Sequence, residues 1–395
     1  MGTALAISLV MVMIMLFQIK VANYVPEINR DHLLFISSVR FAPREGVDGY
    51  TNNTGATYEL ARDYLYQMET PQVTSAFSYI FVKHVSVPTK ELYSEYSVRA
   101  TDLNYWKVYD FDFVEGTTFD EGEYKSGLKL AIISQEVAQI MFGDESAIGK
   151  TINISLQPHR VAGVVKDVSR LATDAFAHVW IPLTSEESLV TTQGEGNMGS
   201  LQICFLFRDK ENKAAIREEL AGAIKKFSDN KERYVVTAES IDYIQKTFRT
   251  YWKPDAMQVY LLQGILMILF ILLLPAINLT GITMNNIRQR SSEIAIRKAF
   301  GASKGTLMWQ ILMENLVLTA IGALIGYLLS FVFIQVGRGF LLSSNTLLTM
   351  DMLLRPFGFI AAIVFCLLMN LLSAGLPAWR MSRRTVVESL SNHES

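Results

Sequence analysis

One stretch of this sequence has glycines and a lysine in an order that resembles a phosphate-binding loop. It runs from Gly143 through Gly149 and Lys150 to Thr151. A P-loop has four residues between its glycines and follows a strand, so that its backbone amides and its lysine surround the phosphates. Here five residues separate Gly143 from Gly149, and a helix is predicted before the first glycine. We therefore expect this stretch to bind no nucleotide.

Other residue types that catalyse reactions show no catalytic spacing either. The stretch from Gly301 through Ser303 to Gly305 matches GxSxG, but a nucleophilic serine in that pattern follows a strand, and here a helix is predicted. The histidines are scattered and lack the spacing of a metal site: His32, His84, His159, His178 and His393. Acidic residues are expected to be solvated in loops: Asp110, Asp112, Asp120, Glu121 and Glu123. The sequence thus predicts a non-catalytic chain with no metal and no cofactor.

The composition is that of a membrane protein with a large water-soluble part. The chain has 395 residues, of which 50% are hydrophobic and 19% are charged. A soluble domain carries more charge than this. The apolar residues concentrate in four segments, each close to the ~20 residues with which a helix crosses a bilayer: 2–19, 257–284, 312–336 and 357–379. This pattern excludes a purely soluble enzyme, a disordered protein and a carrier with many more spans.

The net charge and the two cysteines limit the partners and the disulfides that the chain can have. The net charge is −2, which does not favour a nucleic-acid partner. Cys204 lies in the large polar region and Cys366 lies inside the last apolar segment, so no internal disulfide is expected. The first apolar segment is longer than a signal-peptide core and has no convincing cleavage site. We therefore interpret 2–19 as a retained membrane helix.

Positive charges near the apolar segments predict the orientation of the chain in the membrane, because Lys and Arg at these places stay in the cytoplasm. The linker between the second and third segments carries five of them: Arg288, Arg290, Arg297, Lys298 and Lys304. Three more follow the last segment: Arg380, Arg383 and Arg384. Both termini and this linker are thus predicted to be cytoplasmic, and the region 25–254 is predicted to lie outside the cell membrane.

The outer region is predicted to be an α+β domain, inserted between the first and second of four transmembrane helices. Its length suggests two α+β subdomains. Helices are predicted over 58–68, 134–142 and 212–227. Strands are predicted over 79–87, 108–114, 128–133, 151–156, 160–168, 178–183, 201–207 and 234–237. In the last helix, four apolar residues share one face: Ile216, Leu220, Ile224 and Phe227.

The cytoplasmic linker has the signals of a short capped helix. Ser292 is a capping residue, Glu293 lies in the first turn, and Arg297 and Lys298 lie in the last turn, as the helix dipole favours. Gly301 follows as the residue that ends the helix, and Ser303 begins the next one. Ile296, Ala299 and Phe300 fall on one face of this helix. The pattern fits either a connector without a partner or a lever that docks on a cytoplasmic protein.

Two features of the apolar segments concern helix packing. Pro275 and Asn278 interrupt the second segment, since proline frees backbone groups and asparagine needs a hydrogen-bond partner. Gly322 and Gly326 form a GxxxG pattern, which lets two helices approach closely. That close approach can occur within one chain or between two copies.

Three groups of residues resemble the MacB/FtsX-like permeases of ABC transporters. The first runs from Arg290 through Glu293, Ile296 and Arg297 to Ala302 and resembles the linker of that family. The second, around Pro377, Arg380 and Leu390, is similar to the end of its last span. The third extends from Phe113 to Asp167 and resembles the MacB-type periplasmic core domain. One departure is that the family usually places a cytoplasmic helix before the first span, whereas here the first apolar segment begins at Gly2.

The resemblance implies a division into transmembrane helix 1 (1–24), a periplasmic core domain (25–254) and an FtsX-like permease domain (255–395). The permease domain would comprise TM2 at 257–284, the linker at 285–306, TM3 at 307–336, an outer loop at 337–356, TM4 at 357–379 and a cytoplasmic tail at 380–395. It would lie in the inner membrane as a multi-pass protein.

The resemblance further implies a separate cytoplasmic ABC ATPase as a partner. ATP-driven motion of that ATPase would reach the periplasmic domain through a coupling helix made of Glu293, Ile294, Ile296, Arg297, Lys298, Gly301 and Ala302. A second permease copy or a paralogue would complete the complex, and a periplasmic adaptor or a lipid or peptide substrate would complete its function. The alternatives are a receptor or tether without an ATPase and a membrane-anchored hydrolase.

Overall fold

The computed structural model of the chain describes residues 2–88, 93–191, 199–209, 212–248 and 300–337, together with single residues between 262 and 297 and between 360 and 371. The chain divides into two compact units. One unit is Val21–Arg249, and the other joins Met1–Lys20 to Thr250–Ser395. The division into two subdomains within the first unit, like the boundaries 24/25 and 254/255, stays a prediction.

The unit Val21–Arg249 is built on twelve strands in one hydrogen-bonded network. The strands are β1 Leu33–Pro43, β2 Asn52–Thr54, β3 Val73–Ser78, β4 Phe81–Ser86, β5 Tyr93–Thr101, β6 Phe113–Gly116, β7 Leu130–Ser134, β8 Thr151–Ile154, β9 Gln157–Val165, β10 Val179–Pro182, β11 Leu201–Leu206 and β12 Tyr234–Asp242. Because β10 pairs with both β7 and β5, the strands in the order β10-β7-β9-β8-β4-β5 form a closed ring. The remaining path, β3-β11-β1-β12, is an open sheet, and β2 pairs with β1.

The closed ring and the open sheet meet at a narrow junction. β3 and β5 share one registered pair, Phe77 with Thr101. In the open sheet, β1 and β12 are antiparallel neighbours from Leu34 opposite Asp242 to Pro43 opposite Tyr234. The start of β1 and the end of β12 therefore lie side by side.

The helices of this unit are short, with one exception. They are α2 Tyr58–Leu60, which continues as a π-helical turn over Ala61–Leu65, α3 Tyr105–Val108, α4 Glu121–Lys125, α5 Gln135–Phe142, α6 Glu187–Val190, α7 Asn212–Asp229 and α8 Tyr243–Phe248. Each of the four apolar residues predicted to share a face of α7 is buried. The Ser134 side chain accepts a hydrogen bond from the Val137 amide and caps α5, and Gly143 ends that helix with a φ of +67°. The helices predicted over 134–142 and 212–227 are thus confirmed.

Two predicted elements differ from the structure. The strand predicted over 108–114 is wrong, because α3 occupies Tyr105–Val108 and the strand β6 begins only at Phe113. Here the alternation of aromatic and acidic residues reflects packing of aromatic rings, since the Tyr109 ring lies 6.0 Å from that of Phe77 and the Phe111 ring lies 5.4 Å from that of Trp180. The strands predicted over 151–156 and 160–168 have different bounds, because the turn between β8 and β9 lies at Ser155 and Leu156, which have φ values of +48° and +68°.

The described part of the other unit consists mainly of two helices, α1 Gly2–Val21 and α9 Lys304–Val336. Within this unit the buried Ser330 of α9 contacts Met15 of α1, with 3.4 Å between the Ser330 Oγ and the Met15 Sδ. Within the parts of the chain that the structure describes, no helix has both the length and the apolar character needed to cross a membrane. Most of the predicted spans 257–284 and 357–379 lies outside the described residues.

Candidate functional site

The linker before α9 ends in a tight backbone turn at Gly301. The Phe300 amide donates to the Ile296 carbonyl at 3.0 Å, as in an α-helix. The Ala302 amide then donates to the Arg297 carbonyl at 3.0 Å, while Gly301 has a φ of +93°. This is the Schellman arrangement of a helix C-terminus, which places a residue with positive φ directly after the helix. The helix end predicted at Gly301 is therefore confirmed.

A second cap fixes the start of the following helix. The Ser303 Oγ accepts a hydrogen bond from the Thr306 amide at 3.1 Å, and α9 begins at Lys304. Across this corner, the Arg297 guanidinium donates to the Gln310 Oε1 at 2.9 Å. Capping side chains supply partners for backbone groups that a helix end leaves without one. The corner between the linker and α9 therefore has a defined backbone geometry.

Apolar side chains of the linker are left uncovered by the rest of the chain at this corner. Phe300 is 88% exposed and Ile296 is 54% exposed. A phenylalanine exposed to this degree can lose much water-accessible apolar area when another protein covers it. The corner therefore combines a fixed backbone with an unburied hydrophobic surface, as a docking element requires.

Of the other residues predicted for coupling and for helix packing, the structure describes some and leaves others outside the described residues. Gly322 and Gly326 lie on α9, where Gly326 is buried. Ser330, one turn further along, contacts α1 of the same chain, which favours packing within the chain for this face. Five predicted residues lie outside the described residues: Pro275, Asn278, Glu293, Ile294 and Lys298. Their roles stay predictions.

The stretch that resembles a P-loop has its helix and its strand in the reverse order of a true P-loop. Helix α5 precedes Gly143, and strand β8 begins at Thr151, where a P-loop would begin its helix. The Lys150 Nζ forms an ion pair with Glu145 at 2.5 Å and lies 4.9 Å from the centre of the Phe142 ring. Lys150 therefore serves the turn between α5 and β8.

The scattered acidic residues, which the sequence predicts to be solvated in loops, have local structural roles. Asp120 and Glu123 form a capping box at the start of α4, in which each side chain accepts the backbone amide of the other residue. Asp112 pairs with Lys166 at 3.0 Å on the surface. Among the described residues, no group of three or more His, Cys, Asp or Glu side chains is arranged to hold a metal ion.

Sequence reasoning missed a buried ion pair near the start of the outer domain. The Arg30 Nε lies 2.6 Å from the Glu27 Oε2, and each residue is only 1% exposed. The Arg30 guanidinium also lies 3.9 Å from the centre of the Tyr24 ring. Burial lowers the pKa of the Arg30 guanidinium, and the Glu27 carboxylate raises it. The net result is that the pKa of Arg30 lies above its ordinary value. The signal was the spacing of opposite charges at positions i and i+3, which is common on solvated surfaces and therefore weak.

Comparison with models of known protein families identifies the family of this chain. Residues 1–223 match the model of the MacB-like periplasmic core domain, and residues 265–386 match that of the FtsX-like permease C-terminal region. The chain therefore belongs to the MacB/FtsX-like family of ABC transporter permeases. The resemblance inferred from the linker and from 113–167 is confirmed, as is the presence of a periplasmic type of α+β domain.

Individual relatives are distant. The chain is 25% identical over 317 residues to the uncharacterized ABC transporter permease YknZ of Bacillus subtilis, covering 78% of this chain and 75% of that protein. It is 26% identical over 227 residues to the macrolide export ATP-binding/permease protein MacB of Neisseria meningitidis, covering 57% of this chain and 33% of that one. This chain thus spans about a third of the length of that ATP-binding/permease relative.

Two solved structures each match part of this chain. The extracellular domain of YknZ from Gram-positive bacteria matches with a TM-score of 0.39 at 18% identity, covering 52% of this chain and 99% of that one. The periplasmic region of MacB from Actinobacillus actinomycetemcomitans matches with a TM-score of 0.41 at 16% identity, covering 56% and 95%.

Proposed function

We propose that this permease transmits the motion of a separate cytoplasmic ABC ATPase to its periplasmic domain and does no chemistry itself. The observation that carries the proposal is the corner at Gly301, where an exposed Phe300 stands on a backbone fixed by two caps. A docked ATPase would cover Phe300 and Ile296. Because the Arg297 side chain is hydrogen-bonded to Gln310, a displacement of the docked linker would be passed directly into α9.

The ATPase is proposed as a separate chain because the relative YknZ, 75% of whose length matches this chain, is named as a permease. The stretch of this chain that resembles a P-loop has Lys150 paired with Glu145 in a turn that leads into a strand. Two ATPases that close on each other would move two linkers, so we propose a complex with two permease chains, either identical or paralogous.

Docking is tested by placing a charge on the exposed surface of the linker. Burying a phenylalanine contributes about 1.5–3 kcal/mol. Phe300→Asp is therefore expected to weaken ATPase binding by about tenfold or more. The full chain is purified from its own cells in mild detergent, and the bound proteins are identified and quantified by mass spectrometry.

The matched control is Leu156→Asp, since Leu156 is 91% exposed at the hairpin between β8 and β9. We expect an ABC ATPase subunit to accompany the unaltered chain and Leu156→Asp, and to be lost with Phe300→Asp. Equal retention in both variants would reject docking at Phe300. A chain that retains no ATPase at all would favour a receptor or tether.

The proposed orientation has a separate test. In this orientation the domain that contains Asn230 lies in the periplasm and Ser303 lies in the cytoplasm, and both residues are exposed. Asn230→Cys should therefore react with a membrane-impermeant thiol reagent in cells whose outer barrier has been permeabilised. Ser303→Cys should react only after the inner membrane is lysed. The reverse pattern would show that the orientation is inverted.

A further inference from the structure

The loop 171–176, which leads into β10, is held by side chains that come from distant parts of the chain. The Glu27 Oε1 accepts the amides of Asp174 and Ala175 at 2.7 and 2.9 Å. The Arg30 Nη2 donates to the Leu171 carbonyl at 2.9 Å. These contacts join the segment that follows α1 to a loop more than a hundred residues later in the chain.

The segment at the other end of the domain holds the same loop. The Tyr243 hydroxyl donates to the Glu27 Oε2 at 3.3 Å, and the Lys246 Nζ forms an ion pair with Asp174. The Lys246 Nζ also lies 3.9 Å from the centre of the Phe35 ring on β1. Tyr243 and Lys246 belong to α8, the last described element before residue 250. Four side chains thus form one group, which we call the linker clamp: Glu27, Arg30, Tyr243 and Lys246.

From its other side, the loop is held by β5 and α3. The Arg99 Nη2 donates to the Thr173 carbonyl at 2.9 Å, and Arg99 is buried. The Tyr105 hydroxyl lies 3.0 Å from the Asp174 carbonyl and 3.1 Å from the Ala175 carbonyl. Since β5 and β10 are both strands of the closed ring, the loop connects the linker clamp to that ring.

The linker clamp also lies where the two ends of the domain meet. Its residues come directly before β1 and directly after β12, and these strands are paired from Leu34 and Asp242 onward. The charges of Glu27, Arg30 and Asp174 are buried, and such charges hold their geometry because separating one partner leaves the other without water and without a counter-charge. When either segment is displaced, these contacts therefore hold and the loop 171–176 moves with the segment.

We propose that the linker clamp is a set of positioning residues that passes displacement of the two chain segments entering and leaving the periplasmic domain into the loop 171–176, and thereby into the closed ring of strands. This inference rests on the proposed function, because it names the residues through which motion enters the domain. It predicts that ATP hydrolysis and motion of the ring can be separated by substitution at the clamp.

The test uses the full chain reconstituted in lipid with its ATPase. Spin labels are attached to Leu156→Cys in the ring and to Asp229→Cys at the end of α7; Cys204 is buried, and Cys366→Ser removes the second cysteine of the chain. Labelled chains are mixed with an excess of unlabelled ones, so that only distances within a chain are measured. The distance between the labels is compared with and without a non-hydrolysable ATP analogue, and the ATPase rate is measured in parallel.

Two clamp variants and one matched control are compared. Tyr243→Phe removes only the hydroxyl that donates to Glu27, and Lys246→Met removes the partner of Asp174. The control Lys83→Met breaks the ion pair with Glu186, and its side chain is 21% exposed, against 24% for Lys246. We expect both clamp variants to keep the ATPase rate and lose the nucleotide-dependent change in distance, while the control keeps both.

The outcomes separate this inference from the proposed function. A change in distance that persists undiminished in both clamp variants would overturn the clamp and leave the proposed function intact. Loss of the change in Lys83→Met to the same degree would also overturn it, since the effect would then be general to ion pairs of the domain. If the unaltered chain binds its ATPase and shows no nucleotide-dependent change, the proposed function fails, and the clamp fails with it.

Discussion

Replacing Arg30 with methionine is expected to lower the free energy of unfolding of the periplasmic domain by about 3–5 kcal/mol. The substitution keeps most of the apolar volume of the side chain. It leaves the Glu27 carboxylate, which is 1% exposed, without the guanidinium that lies 2.6 Å away. It also removes the donors to the carbonyls of Ala22 and Leu171. The measurement is denaturant unfolding of the full chain in detergent, followed by tryptophan fluorescence.

Two controls separate the buried charge from a general effect of removing an arginine. Arg62→Met breaks the pair with Asp63, in which the side chains are 57% and 41% exposed, and it should change stability by less than about 1 kcal/mol. The double variant Glu27→Gln, Arg30→Met removes both buried charges, keeps an Oε1 that can accept the Asp174 and Ala175 amides, and should recover part of the loss. Equal losses in Arg30→Met and Arg62→Met would contradict the role given to the buried pair.

Replacing Gly301 with valine is expected to have the largest effect on coupling. Gly301 has a φ of +93°, which a β-branched residue adopts at a cost of about 1–3 kcal/mol. A cost of this size lowers the equilibrium constant for forming the capped corner by about fivefold or more. We therefore expect the ATPase rate of the reconstituted complex to drop by up to about that factor, with expression and membrane insertion retained.

The matched control is Gly305→Val, which makes the same substitution at a glycine that has no positive φ. It lies in the first turn of α9, where an added Cβ would meet no atom closer than 3.9 Å. Valine has a higher helix propensity than glycine, so Gly305→Val should leave α9 intact. If both variants turn over ATP at the unaltered rate, the corner at Gly301 has no part in coupling. If both lose activity equally, the positive φ is not the cause.

The elements that the sequence predicts well are those specified by neighbouring residues. The face of α7 that contains Ile216 and Leu220 repeats at the helical period, and Ser134 and Gly143 mark both ends of α5. Gly301 and Ser303 are likewise local signals, and the structure has a positive φ and a side-chain cap at these positions. Each of these features depends on contacts within about one or two turns of helix.

The missed elements depend on residues far apart in the sequence. Strands β1, β3 and β5 were not predicted, because β1 acquires its place by pairing with β11 and β12. The linker clamp was missed for the same reason: Glu27 bonds to residues 147 and 148 positions away, and Tyr243 lies 216 positions from Glu27. The neighbouring residues in the sequence do not show whether a single Asp or Glu side chain is solvated or buried.

The pairing of β1 with β12 has a mechanical consequence. A force that pulls the two ends of the domain apart sideways acts on this ladder as on a zipper, and loads the pair Leu34–Asp242 before any other. A zipper opens at low force because its hydrogen bonds break one after another, whereas a ladder pulled along its strands must break them together. Two side-chain contacts of the last segment lie ahead of this first pair: Tyr243 bonds to Glu27 of the first segment, and Lys246 pairs with Asp174 of the loop that Glu27 also holds. A power stroke that pulled the two ends apart would therefore load these side-chain contacts before the strand ladder.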